Sequence, residues 1–233
     1  MAYPINVTFI LDKSGSMSSV REAAITGFNE YINELKQGGF HYYVTLVLFN
    51  NGIEERFTKM PIAQVPALSE LTYQPEGGTA LYDAVCQTLG GTVNRDQEVA
   101  ENILRRFKKE DAKPETPAQA DQNVVVILTD GEENASRRWR SEDFKALVER
   151  REATGRWKFV FLGANQDAWQ NAQNWGFAAA SVASFNNTEK GLGNAMLRTA
   201  QVTNCFSASV MSGGDVNADF FSKEDQTNLK NTK

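Results

Sequence analysis

Apolar and polar positions along this chain follow two alternating regimes. Short, nearly continuous apolar runs occupy residues 5–11, 42–49, 123–128 and 157–162. Their length and β-branched content predict buried strands, with 178–185 as a weaker last one. Between them apolar residues recur at helical spacing. Val20, Ala24, Phe28, Tyr31 and Leu35 mark one helix, and Gly38-Gly39 ends it. Further helices are expected from Ala80 towards Val93, over 97–109, from Ser141 onward with Glu142 and Asp143 at its positive end, from Asp167 through Trp175, and over 188–206. Asn50-Asn51-Gly52 tolerates the positive φ of a tight hairpin, so 53–59 is predicted to return as a polar antiparallel edge strand.

The resulting order, β-α-β-β-α-β-α-β-α-β-α, is that of an α/β fold: a three-layer, doubly wound, mostly parallel sheet with one antiparallel edge strand. A chain of 233 residues is long enough for one such domain, expected over 1–210. It is interrupted by a charged helical insertion at about 94–121, whose end carries Pro114 and Pro117. Residues 211–233 are polar and aperiodic and are expected to form a disordered tail.

In doubly wound sheets functional groups gather beyond the carboxyl ends of the strands, where the winding reverses. Three unusual loops leave such ends or face them. In Asp12-Lys13-Ser14-Gly15-Ser16 the serines alternate, so both hydroxyls can face one side, while Gly15 permits a tight turn. Thr79 follows Gly77-Gly78 at a helix start, and Asp130 ends the most apolar strand. Three neutral hydroxyls and two carboxylates suit a hard divalent cation such as Mg²⁺, with Mn²⁺ or Ca²⁺ as alternatives. If the hydroxyls bind directly and the carboxylates act through water, the cation keeps charge for an anionic ligand from outside.

The net charge of −5 and sequence pI of 5.1 argue against general nucleic-acid binding. Residues 1–4 run straight into a strand without a signal-peptide pattern, and no apolar run approaches a membrane span. A soluble cytoplasmic monomer is therefore expected. Cys86 and Cys205 fit no metal or redox spacing and are expected as two buried thiols, and His41 is the only histidine.

Asp12-Lys13-Ser14-Gly15-Ser16 resembles the DxSxS motif of von Willebrand factor A (vWA) domains. Gly78-Thr79 and Thr129-Asp130-Gly131 resemble that family's threonine and aspartate elements, in the same order. The likeness runs from Ile5 to about Phe206. It implies an intact metal-ion-dependent adhesion site (MIDAS) in a stand-alone bacterial or phage-type protein. Ser14, Ser16 and Thr79 would be the direct ligands, and Asp12 and Asp130 would act largely through water. The implied function is capture of an Asp or Glu of a partner protein, with AAA ATPases and kinase–phosphatase systems as candidate partners. It also suggests a last helix, 188–206, that moves when the metal shell changes.

Two other functions stay open from the residues. One is Mg²⁺-dependent phosphoryl transfer, although Ser14 stands where the second acid of a DxD phosphatase motif would be. The other is a scaffold in which the cation only stabilises the fold. Near the site, Glu132 and Glu133 read as solvated surface, and Asn165 as an edge residue. Arg137-Arg138-Trp139-Arg140 reads equally as a binding hot spot or as a basic loop with Trp139 tucked into the domain.

Overall fold

A computed structural model describes residues 4–90, 121–164 and 167–232. Its sheet has six strands: β1 (Ile5–Asp12), β2 (Tyr42–Phe49), β3 (Ile53–Pro61), β4 (Gln122–Thr129), β5 (Trp157–Ala164) and β6 (Val182–Phe185). Their spatial order is β3-β2-β1-β4-β5-β6, all parallel except β3, which runs antiparallel to β2. The doubly wound α/β architecture with an antiparallel edge is therefore present. The winding reverses between β1 and β4, so the crevice of the fold opens at their carboxyl ends.

Both faces of the central strands are apolar because both are covered. Val7, Phe9 and Leu11 of β1, with Val124, Val126 and Leu128 of β4, pack under α1 (Arg21–Gln37) and the long helix Glu189–Met211. The alternate residues, Ile10, Val125, Ile127, Phe159 and Phe161, pack on the other face under α2 (Leu81–Thr88), α3 (Ser141–Glu152) and α4 (Asp167–Asn174). The period of two inside continuous apolar runs is what a sheet buried on both sides requires.

The helix Glu189–Met211, here α5, begins with Thr188 as N-cap, whose hydroxyl accepts the Gly191 N–H at 3.1 Å. It extends beyond the expected 188–206 because its buried stripe continues through Val210. β6 is shorter than expected, since residues 179–181 form a 3₁₀ turn. The expected helix 97–109, the end of the helix towards Val93, the insertion at 94–121 apart from Asp121, and Asn165 lie outside the described residues.

The expectation of a disordered tail over 211–233 is corrected. Residues 212–222 fold back over the domain, burying Val216, Phe220 and Phe221. They lead into α6 (Lys223–Asn231), which has a Ser222/Asp225 capping box and buries Leu229. Arg198 of α5 pairs with Asp225 at 2.5 Å. The Gln226 amide donates to the carbonyls of Ala179 and Val182 at 2.6 and 2.7 Å, and the Asn186 amide donates to Thr232 O at 2.6 Å. α6 thus lies along β6, at the edge of the sheet opposite β3.

The two thiols also divide: Cys86 is buried, whereas Cys205, on the outer side of α5, is exposed. No described helix is long and apolar enough to cross a membrane.

Candidate metal centre

Asp12 ends β1, and parallel register sets β1 residue 11 beside Leu128, which brings Asp12 next to Thr129 at the end of β4. Asp12 is fully buried, and each of its carboxylate oxygens has a donor. The Ser14 N–H donates to Oδ1 at 2.6 Å and the Thr129 hydroxyl to Oδ2 at 2.5 Å. Its own carbonyl accepts the Tyr73 hydroxyl at 2.5 Å. The loop after β1 then turns into a 3₁₀ segment, Gly15–Val20, that feeds α1.

The second loop is laced to the first. Gly15 N–H donates to Gly77 O at 2.9 Å and Glu76 N–H to Lys13 O at 2.8 Å. A Cβ at Gly15 would come within 3.4 Å of Gly77 O, and Gly77 itself sits at φ +76°. These two glycines let the loops approach this closely. Asn50 and Asn51, read from the sequence only as a hairpin turn, do more. The Asn50 side-chain amide donates to Glu76 O at 2.9 Å, the Asn50 backbone carbonyl accepts the Ala80 N–H at 2.9 Å, and Asn51 Oδ1 accepts the Gly78 N–H.

The third loop closes the site. Ser16 Oγ lies 3.1 Å from Ser14 Oγ and donates to Asp130 Oδ1 at 2.6 Å, while the Asn187 amide donates to Asp130 Oδ2 at 3.2 Å. Asn134 Oδ1 accepts the Thr79 N–H at 2.9 Å. A methyl group added at Gly131 would stand 3.0 Å from Thr79 Oγ1, 3.5 Å from Ser16 Oγ and 3.9 Å from Asp12 Oδ2. Oxygen atoms from all three loops therefore surround one small space that only a glycine leaves open. Asp12, Ser14, Ser16, Thr79 and Asp130, the residues singled out in the sequence, are brought together there.

Cationic neighbours are directed elsewhere. Lys13 pairs with Glu54 at 2.8 Å, and Arg21 donates to the carbonyls of Tyr73 and Glu70. Among the described residues neither Asp12 nor Asp130 has an ion pair. There is also no cluster of three or more His, Cys, Asp or Glu among them, so this is a hydroxyl-dominated oxygen set. Such hard donors fit Mg²⁺, Mn²⁺ or Ca²⁺.

Burial pushes the Asp12 carboxyl up from 3.8 to about 6, against the lowering effect of the Thr129 and Ser14 hydrogen bonds and with a small upward push from the Asp130 charge. The folded chain thus holds this proton more tightly than the unfolded chain. The stability it contributes is complete below about pH 4 and is lost as pH rises through about 6. A shift of this size corresponds to at most about 3 kcal/mol. In EDTA, the stability of wild type relative to Asp12→Asn is expected to fall across that window, as measured by urea denaturation at stepped pH. A flat difference would contradict it.

The sequence left several supporting residues unread. Thr129 entered only as part of the Thr129-Asp130-Gly131 element, without its role as the hydroxyl that donates to Asp12. Tyr73, Asn134 and Asn187 carry no local signal. Glu133, expected as solvated surface, instead accepts the N–H groups of Tyr82, Ala135 and Ser136. Trp139 is buried, in agreement with the tucked reading.

No protein-family model matches this sequence, and no curated protein matches it. Solved structures do. One is VWA2, the ArnB paralogue from Sulfolobus acidocaldarius, with 15% identity and a TM-score of 0.51 over 85% of this chain and 46% of that one. Another is proximal thread matrix protein 1 from the mussel byssus with a zinc-occupied MIDAS motif, at 15% identity and a TM-score of 0.52 over 87% and 46%. A third is a von Willebrand factor type A structure from Catenulispora acidiphila, at 14% identity and a TM-score of 0.50 over 91% and 43%. The present chain spans less than half the length of each. At these identities the likeness establishes the fold, which is of the vWA type.

Proposed function

We propose that this vWA-fold chain is a divalent-cation-dependent protein-binding module that captures an Asp or Glu of a partner protein. The observation that carries the proposal is the space before Gly131, lined by oxygens of Thr79, Ser16 and Asp12, beside two carboxylates that form no ion pair among the described residues. In this reading Ser14, Ser16 and Thr79 are the direct ligands. Asp12 and Asp130, each already held by hydrogen bonds, fix the shell from behind. When bound, Mg²⁺ (or Mn²⁺ or Ca²⁺) would supply a positive charge that neutral ligands leave largely unquenched, so that an incoming carboxylate completes its shell. The mussel protein's zinc-occupied site supports a divalent ion on this fold.

Binding rather than catalysis is supported by Asp12 itself. Both of its oxygens already accept hydrogen bonds, from Ser14 and Thr129, which suits a positioning group better than a nucleophile of phosphoryl transfer. His41 stands at the start of β2, the opposite end of the sheet from the site. The partner, an AAA ATPase or a member of a kinase–phosphatase system in a cytoplasmic setting, follows from family resemblance alone.

The immobilised chain is expected to capture its partner in Mg²⁺ and to release it in EDTA, with mass spectrometry as the readout. Capture of the same protein in both buffers would overturn the proposal. A metal-dependent rise in melting temperature with a partner interface mapped away from Ser14, Ser16 and Thr79 would instead favour the scaffold.

A further inference from the structure

We infer that the cleft beside Thr79 takes a second anionic side chain of the same ligand, so that the partner presents an acidic segment with two carboxylates rather than a single acid. This rests on the metal-site reading above and specifies its ligand. The cleft has a volume of about 400 Å³ and is lined by Asn51, Gly78, Asn134, Ala135, Ser136 and Arg137. It adjoins the metal centre directly, because the N–H groups of Asn134 and Ala135 both donate to Thr79 O, at 3.0 and 3.2 Å.

The polar groups of this cleft that are left without a partner among the described side chains are donors, while its amide oxygens are engaged by backbone N–H groups. Asn51 Oδ1 accepts the Gly78 N–H, and Asn134 Oδ1 accepts the Thr79 N–H. A backbone N–H must meet the amide oxygen, so both side-chain orientations are fixed and both NH₂ groups remain to donate. Neither NH₂ group, nor the Arg137 guanidinium, has a hydrogen-bond or ion-pair partner among the described residues. The Ser136 hydroxyl is already engaged, donating to Glu133 and accepting from the Asp83 N–H. Glu132, the exposed acid of this loop, does not line the cleft. Two amide donors and one guanidinium, with no carboxylate in the lining, are matched by an anion.

The arrangement is preformed. Asp83 of α2 accepts the N–H groups of Arg137, Arg138 and Trp139 at 2.9, 3.0 and 2.9 Å. Trp139 is buried beneath, with the Arg138 guanidinium 4.2 Å over its ring. The loop backbone is therefore held while the Arg137 side chain stays exposed. In a chain of net charge −5, a cationic rim next to a proposed cation site selects for acids. In an extended segment, alternate side chains point the same way at roughly 7 Å spacing, a geometry that can serve two adjoining sites.

The test titrates the ¹⁵N-labelled full chain in Mg²⁺ with Gly/Ser peptides. These carry either one Asp or one Asp with a second at each of several following positions. At least one spacing should bind about fivefold tighter than the single-Asp peptide, and that ratio should fall below about twofold in Arg137→Ala. Two results overturn the inference: no spacing surpasses the single acid, or the gain persists in Arg137→Ala. Failure of the metal-site reading looks different. The single-Asp peptide would then bind equally in EDTA, and an Arg137-dependent gain that survives EDTA would retain the cleft while removing the cation from the account.

Discussion

Gly131→Ala is expected to weaken Mg²⁺ or Mn²⁺ binding by roughly 100-fold while leaving the fold intact. The added methyl would meet Thr79 Oγ1 at 3.0 Å and Ser16 Oγ at 3.5 Å, in the space where the ligand oxygens converge. Gly131 is not among the residues at positive φ, so alanine meets no backbone penalty there, and the crowding of Thr79 should cost no more than about 1–3 kcal/mol of stability. Isothermal calorimetry with Mn²⁺ and urea denaturation in EDTA separate the two effects. An unchanged affinity would place the cation elsewhere and remove the basis of the proposed function.

The second large effect is on stability and concerns the chain after α5. Phe221 is 1% exposed and packs edge-on against Phe220, with ring centroids 4.9 Å apart, while its N–H donates to Ala180 O at 2.8 Å. Truncating a buried aromatic of this kind costs about 3–5 kcal/mol, so Phe221→Ala should lower the urea midpoint markedly. A cost near zero would mean that residues 212–232 do not belong to the cooperative unit.

These two cases show what the sequence did and did not disclose. The strands were legible because a sheet covered on both faces needs unbroken apolar runs, and Val124–Leu128 is one. The five candidate ligands were legible because their loops are punctuated by Ser, Gly and Asp at strand ends. The C-terminal segment was not legible: Val216, Phe220, Phe221 and Leu229 follow no helical or strand period. They find their apolar surroundings only once α5 and β6 are in place. The supports of the site were hidden for a similar reason. Tyr73 reaches Asp12, and Asn187 reaches Asp130, across 61 and 57 residues of chain, and no local pattern reports such meetings.

The C-terminal helix has a further consequence. With α6 packed along β6 and the Gln226 amide on the Val182 carbonyl, the strand at that margin is covered by a helix rather than open to another chain. The opposite margin, β3, carries Glu54, Glu55, Arg56 and Lys59, breaks register twice against β2 and ends at Pro61, features that discourage strand addition. Neither flank of the sheet is a template for growth. Among the described residues strand exchange and fibril-like stacking at the sheet edges are disfavoured, which leaves the loop ends and the helical faces as the surfaces for a higher assembly.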